Sequence, residues 1–258
     1  MAPLLELQNV SVMRGERTAL GNLSLRIEAG EHVCILGPNG CGKSTLIKTI
    51  TRECYPLPGE GSWMRIVGKE RWDIFDLRTR LGIVTPDLLA SCTTDSTGRD
   101  VVLSGFFSST RIFPHHHPEA SQVARADAAL ARLGIAHLAD RAVSEMSSGE
   151  AKRTLIARAL VHEPHTLVFD EPSTALDIRA QFQLRDTLRG LARHGMAIVL
   201  VTHHVSEIIP EMERIILLQQ GKILADGPKQ QVLTEENLRA LFAVEVRLHR
   251  QDGFFHVY

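Results

Sequence analysis

A short apolar run, His32–Leu36, breaks into Gly37-Pro38-Asn39-Gly40-Cys41-Gly42-Lys43-Ser44-Thr45, and a helical pattern follows over Lys43–Thr51. The nine residues fit G-x-x-x-x-G-K-[ST] in the setting that pattern needs, after a strand and at the opening of a helix. Glycines let backbone N–H groups turn inward around an anion, and the helix N-terminus adds its partial positive charge. Lys43 is placed to reach the β- and γ-phosphates of ATP, and the Ser44 hydroxyl to ligate Mg²⁺. All nine residues are candidate ATP contacts.

A second segment gives the loop something to do. Leu167-Val168-Phe169-Asp170-Glu171 is an apolar strand ending in two carboxylates. Side chains alternate along a strand, so the two acids can serve different tasks. Asp170 suits the Mg²⁺ shell, and Glu171 can poise and deprotonate an attacking water. Alone, such a pair reads more readily as a solvated strand end, which is common. Downstream of a phosphate loop it points to hydrolysis.

The rest of the chain fits an α/β fold. Leu4–Met13 and Leu23–Glu28 alternate as strands of an antiparallel layer. Trp63–Val67, Gly82–Thr85, Thr166–Asp170, Ala197–Thr202 and Ile215–Gln219 read as further strands, the last turning at Gln220-Gly221. Asp177–Arg193 reads as a helix between two of them. Between Pro86 and Leu160 the strand pattern fades, and Val101–Phe107, Glu119–Leu133 and Glu150–Leu160 read as helices. Short strands alternating with helices imply a mostly parallel sheet covered on both faces. The expected architecture is a single domain over 1–258. Its nucleotide-binding core is 1–85 and 161–258, and 86–160 is an inserted helical subdomain.

Bulk composition excludes some roles. The 258 residues carry a formal net charge of -1, so no basic field marks a nucleic-acid partner. No apolar run approaches the ~20 residues that cross a bilayer. A basic n-region followed by an apolar h-region is missing, so no secretory signal is expected. Cys34, Cys41, Cys54 and Cys92 form no metal-spaced pair, which suits free thiols in a reducing cytoplasm. His115-His116-His117 invite a metal reading, but adjacent histidines do not converge easily on one ion. The stretch Ser108–Pro118 is expected to be a solvated loop.

With these residues in place, the chain resembles the ABC (ATP-binding cassette) ATPases over nearly its whole length. Met146-Ser147-Ser148-Gly149-Glu150 resembles the family's signature, usually LSGGQ, followed by a helix with Ala157-Arg158-Ala159-Leu160. Ser173-Thr174-Ala175-Leu176-Asp177 resembles the loop after the acidic pair, and Val201-Thr202-His203-His204 the switch segment. Taken singly, the first is an ordinary helix cap and a strand-end histidine an ordinary structural one. In this order and spacing the resemblance implies more. Ser147, Ser148, Gly149 and Glu150 would meet the γ-phosphate held by a second copy of the chain. Asp177 would lie in the same shared interface. His203 would touch the γ-phosphate and the water, making Lys43, Glu171 and His203 the catalytic set. The cofactors implied are ATP and Mg²⁺.

Two departures stand out. The family usually stacks an aromatic residue on adenine where this chain has Arg14. A guanidinium can also lie flat on a base, so Arg14 is a candidate ATP contact. The family's glutamine at the hinge of the helical lobe falls on Pro86, followed by Asp87. The resemblance implies an ATP-dependent homodimer that powers a separate membrane permease, lying on the inner face of the cell membrane. The Ser-Ser-Gly-Glu signature and altered glutamine also resemble a molybdenum-transport-associated group. The alternative is a soluble, non-transport ABC ATPase acting on ribosomes, nucleic acid or a regulatory partner.

Overall fold

The computed structural model describes residues 2–92 and 95–258. The elements begin with β1 (Leu5–Arg14), β2 (Arg17–Ile27), β3 (Val33–Leu36), α1 (Lys43–Ile50), β4 (Trp63–Ile66) and α2 (Ile74–Arg80). Next come β5 (Leu81–Val84), α3 (Pro86–Cys92), α4 (Gly98–Leu103), α5 (Ala120–Arg132), α6 (Ser148–Leu160) and β6 (Thr166–Asp170). The chain ends with α7 (Ile178–Arg193), β7 (Ala197–Thr202), β8 (Arg214–Gln219), β9 (Lys222–Pro228), α8 (Lys229–Val232), α9 (Glu235–Phe242), β10 (Leu248–Gln251) and β11 (Phe254–Val257). They gather into two compact units, Met1–Leu77 with Ala192–Tyr258, and Arg78–Leu191.

The first unit holds two larger sheets. One is antiparallel in the order β2-β1-β4. Along β1 the alternation buries Leu5, Leu7, Val10 and Val12. Its phase slips between Leu7 and Val10, where Asn9 takes a left-handed φ of 47° and the register shifts. Such a bulge re-aims the rest of the strand, and asparagine tolerates that backbone better than most residues. In the other sheet β3 lies between β7 and β8, parallel to both. All four β3 residues are buried, which is why Val33–Leu36 is continuously apolar rather than alternating. β9 returns antiparallel along β8 through Gln220-Gly221, with φ of 48° and 74°. That is the two-residue hairpin turn that matches strand twist. Asp252-Gly253, with φ of 50° and 83°, closes β10 on β11 in the same way.

The second unit pairs β5 with β6 in parallel and surrounds them with helices. Val102, Leu103, Ala126, Ala129, Leu130 and Ala157 share one apolar core that joins α4, α5 and α6. Small alanines let these helices approach closely. Helix starts are well specified. Thr97 and Asp100 close a capping box on α4, as do Ser147 and Glu150 on α6. Val101–Phe107 is helical as expected but changes character at Ser104, from α to a 3-10 turn over Ser104–Phe107.

Candidate functional site

The phosphate loop is set by close backbone packing. The Gly37 N–H donates to the Thr202 carbonyl at 3.2 Å, and the Gly221 N–H to the Cys41 carbonyl at 2.8 Å. A Cβ on Gly37 would lie 2.3 Å from the Leu218 carbonyl oxygen, and one on Gly42 2.6 Å from that of Ala19. Gly42 also has a φ of 111°, which side chains rarely adopt. Both glycines are therefore required by space. Lys43 is buried, and its ammonium donates to the Gly37 and Pro38 carbonyls at 2.8 and 3.0 Å. This holds the charge over the loop. The Cys41 thiol is buried against Gly37, filling the turn rather than standing open to reagents.

His203 belongs to the same locality. It follows Thr202, whose carbonyl takes the Gly37 N–H. The Thr202 hydroxyl accepts the His204 N–H at 2.9 Å, which bends the chain sharply at the strand end. At the β1–β2 tip, Arg14 is tethered, its Nη1 donating to the Cys54 Sγ at 3.2 Å. It lines a cleft of about 540 Å³ with Met13, Gly15, Glu53, Cys54 and Tyr55. Sequence reading singled out Arg14 alone. The signal for the rest was an aromatic residue set in the turn-forming run Tyr55-Pro56-Leu57-Pro58-Gly59.

The second unit carries the acids and the signature. All five residues of β6 are buried, Asp170 included. Glu171 follows with a φ of 45°, directly before Pro172. A left-handed glutamate ahead of proline is a strained arrangement, and such strain clusters at functional sites. The Asp177 carboxylate accepts the Ala180 N–H at 2.7 Å and so caps α7. Ser147 caps α6. Its N–H and hydroxyl both donate to Glu150 Oε2 at 2.8 Å, and the Glu150 N–H donates back to the Ser147 hydroxyl at 3.3 Å. These bonds hold the Glu150 carboxyl below the usual carboxylate range. A Cβ on Gly149 would meet that of Ala180 at 3.0 Å, so the signature helix and the start of α7 lie side by side. Arg158 has a nearby structural task, its guanidinium donating to the Ser104 hydroxyl and the Ser109 carbonyl at 3.1 and 2.7 Å.

One departure gains a structural role, and one expectation needs adjustment. Pro86 is the first residue of α3, where a missing N–H costs nothing, and the Thr85 hydroxyl accepts the Leu88 N–H at 3.2 Å. The hinge position is thus a capped helix start. The histidine stretch is not simply solvated. His116 is half-buried and stacks on Phe107, with ring centroids 4.3 Å apart. Its Nδ1 accepts the Phe113 N–H at 3.2 Å. Among the described residues, no group of three or more His, Cys, Asp or Glu is placed to hold a metal ion. None of the described helices is long and apolar enough to cross a membrane.

Comparison with known proteins joins these pieces. The ABC transporter family profile matches residues 20–174. The hemin import ATP-binding protein HmuV of Bradyrhizobium diazoefficiens is 31% identical, over 100% of this chain and 95% of that protein. The ferric enterobactin transport ATP-binding protein FepC of Escherichia coli K12 is 30% identical, over 92% and 89%. Among solved structures, an inward-facing ABC transporter described as of metal-chelate type is similar with a TM-score of 0.78 and 26% identity, covering 100% of this chain and 96% of that one. The dimeric bacterial cassette MJ0796 matches with a TM-score of 0.71 and 26% identity, over 87% and 98%. The same cassette is also known as a dimer after hydrolysis, bound to ADP and phosphate, at 27% identity, a TM-score of 0.70 and the same coverage. The chain belongs to the ATP-binding proteins of ABC transporters, the ATP-hydrolysing subunits of that family.

Proposed function

We propose that two copies of the chain enclose two ATP molecules, each held by Gly37–Thr45 of one copy and Ser147–Glu150 of the other. The observation that carries this reading is the form of the signature. It is a helix N-terminus with Ser147 and Ser148 exposed, offered outward from its own unit. Such an end favours an anion, and in a two-fold pair each copy lends its end to the other's nucleotide.

The roles then divide by chemistry. Loop N–H groups and Lys43 bind the β- and γ-phosphates and offset the charge that develops on the transferred group. Glu171 takes the proton of the attacking water, and His203, beside the loop, hydrogen-bonds the γ-phosphate. Arg14 contacts the base. Ser44 and Asp170 offer oxygen donors, the kind a hard divalent cation takes, so they fit Mg²⁺. Held there, Mg²⁺ would supply positive charge against the negative charge of the phosphates. Asp177, next to the signature through Ala180, would lie in the shared interface.

Residues 1–85 and 161–258 act in this reading as the nucleotide-binding core, and 86–160 as the helical subdomain. The membrane part comes from a separate permease, which places the dimer on the cytoplasmic face. Relatives named for hemin and ferric enterobactin favour a chelated-iron cargo over the molybdenum group that the signature resembles. Glu171→Gln keeps the shape of the acid and removes the base. In Mg-ATP this variant should run as a dimer by light scattering on a sizing column, and as a monomer in ADP. Adding Ser147→Arg should abolish the dimer while the monomer still binds ATP. A Glu171→Gln protein that stays monomeric in saturating Mg-ATP would count against shared sites. Copurification from native membranes with a multi-span protein tests transport, and recovery with ribosomes or DNA instead would overturn it.

A further inference from the structure

The cleft at the β1–β2 tip bears on how the nucleotide's base is held. Two of its walls come from different elements. Met13, Arg14 and Gly15 form the tip, and Glu53, Cys54 and Tyr55 come from the segment that follows α1. That segment is fixed in place. The Cys54 N–H donates to the Lys48 carbonyl at 2.9 Å, and the Leu57 N–H to the Ser11 carbonyl of β1 at 2.8 Å. Arg14 reaches across to the Cys54 thiol, so the tip and the segment are tied together. Tyr55 is held at both ends of its segment, yet its side chain is given to solvent, the residue being 64% exposed. A large, exposed aromatic ring on a tethered backbone, lining the same open cleft as Arg14, is a stacking surface.

The distance to the phosphate loop is suitable. Gly42 packs against Ala19 and Leu20 of β2. In the hairpin Val12 faces Leu20 and Arg14 faces Arg17, so the tip lies three residues beyond that contact. Three strand residues span roughly 10 Å, comparable to the reach from the α-phosphate of a nucleotide to its base. The cleft volume of about 540 Å³ is within the range of small-ligand sites and accommodates a purine with part of its ribose.

We propose that the adenine base lies in this cleft against the Tyr55 ring and the Arg14 guanidinium. Tyr55 supplies, from the segment after α1, the aromatic face that the chain lacks at the position of Arg14. This rests on the ATP-binding reading of the phosphate loop. Stacking on an aromatic face is blind to the number of phosphates, and every base has a π-face. The contribution is therefore equal for ATP and ADP and tolerant of the base.

Calorimetric titration with ADP, with ATP and with inorganic tripolyphosphate tests it. Tyr55→Ala should weaken both nucleotides about tenfold and leave tripolyphosphate unchanged, because that ligand has no base. Tyr55→Phe should restore nucleotide affinity. Wild-type ADP affinity in Tyr55→Ala would overturn the proposal. An equal loss for tripolyphosphate would overturn it too, since it would mean that the substitution disturbs the loop. Failure of the underlying reading looks different. Wild-type protein would then bind neither nucleotide nor tripolyphosphate, and the proposal would fall with it.

Discussion

Two helix N-termini carry the candidate chemistry, at Lys43 of α1 and at Ser148 of α6. The first has no side-chain cap and no acid in its first turn. Its preceding glycine sits in a left-handed conformation, and the loop around it is fixed by backbone contacts that no larger residue would fit. The second is closed by its own capping box, with Glu150 bound to Ser147 through both N–H and hydroxyl. A helix start leaves orphan N–H donors that need partners. At α1 no side chain of the cap answers them, so the end is arranged for an external anion. At α6 the box already answers part of the need. In the proposed reading the first site binds a phosphate by itself, and the second completes a phosphate held elsewhere.

Removing the charge from the first end should have the largest effect. Lys43→Ala deletes the ammonium that spans the Gly37 and Pro38 carbonyls and that is proposed to meet the phosphates. ATPase turnover and nucleotide affinity should both collapse, with a rate loss above ~10². Steady-state ATPase assays and calorimetry read both. A variant with wild-type turnover would remove the asymmetry between the two ends. Glu171→Gln should lower turnover by ~10²–10⁴ and spare affinity, which separates the chemical step from phosphate binding. Equal losses of rate and affinity would show that Glu171 also shapes the nucleotide site.

Glycine substitutions compare the rigidity of the two ends directly. In Gly37→Ala the new methyl meets a backbone carbonyl at 2.3 Å and the Cys41 sulfur at 2.6 Å, and the carbonyl belongs to a central strand. In Gly149→Ala it meets a single methyl at 3.0 Å, which a small helix shift relieves. Gly37→Ala should cost several kcal/mol of stability, above the ~1–3 typical of overpacking, and Gly149→Ala ~1 kcal/mol or less. Thermal melts of the two variants decide it. Similar losses would mean that the signature turn is as rigid as the loop.

The contrast also explains what the sequence made legible. Motifs that work through backbone geometry leave fixed residue types behind, so Gly37–Thr45 could be placed on a strand–loop–helix from the sequence. The fully buried strands were legible because burial on both faces demands unbroken apolar runs, as in Val33–Leu36 and Thr166–Asp170. The C-terminal hairpin was not read, although Asp252-Gly253 is a strong two-residue turn signal. Its strands Leu248–Gln251 and Phe254–Val257 mix charge and apolar residues and bury only Phe255. The stacking of His116 on Phe107 and the tether of Arg14 to Cys54 were not legible at all. Each joins residues far apart in composition pattern, and only the folded backbone brings them together.

The smallest effect comes from the acid that closes the second end. Glu150 places a negative charge beside the serines that would meet the γ-phosphate, and it holds the Ser147 hydroxyl proton. Glu150→Gln keeps an acceptor of the same shape but removes the charge. In a Glu171→Gln background, the Mg-ATP dimer should tighten by a factor of about two to five at low ionic strength, since exposed charge pairs are worth a few tenths to one kcal/mol. The gain should shrink in high salt, where the interaction is screened. The helix itself should lose a little, because an acid near a helix N-terminus is favourable. The sign with pH follows from the depressed carboxyl. Its contribution to stability is complete above the ordinary carboxylate range and is lost as pH falls through its lowered folded value. Near neutral pH wild-type Glu150 is therefore fully charged, and the comparison with Gln is a clean charge deletion. Light scattering across protein concentration at two salt levels gives the dimer dissociation constants. A Gln variant that dimerises no more tightly than its parent at low salt would show that the carboxylate is not a repulsive element. Its bond to Ser147 would then have to be an aid to the closed state.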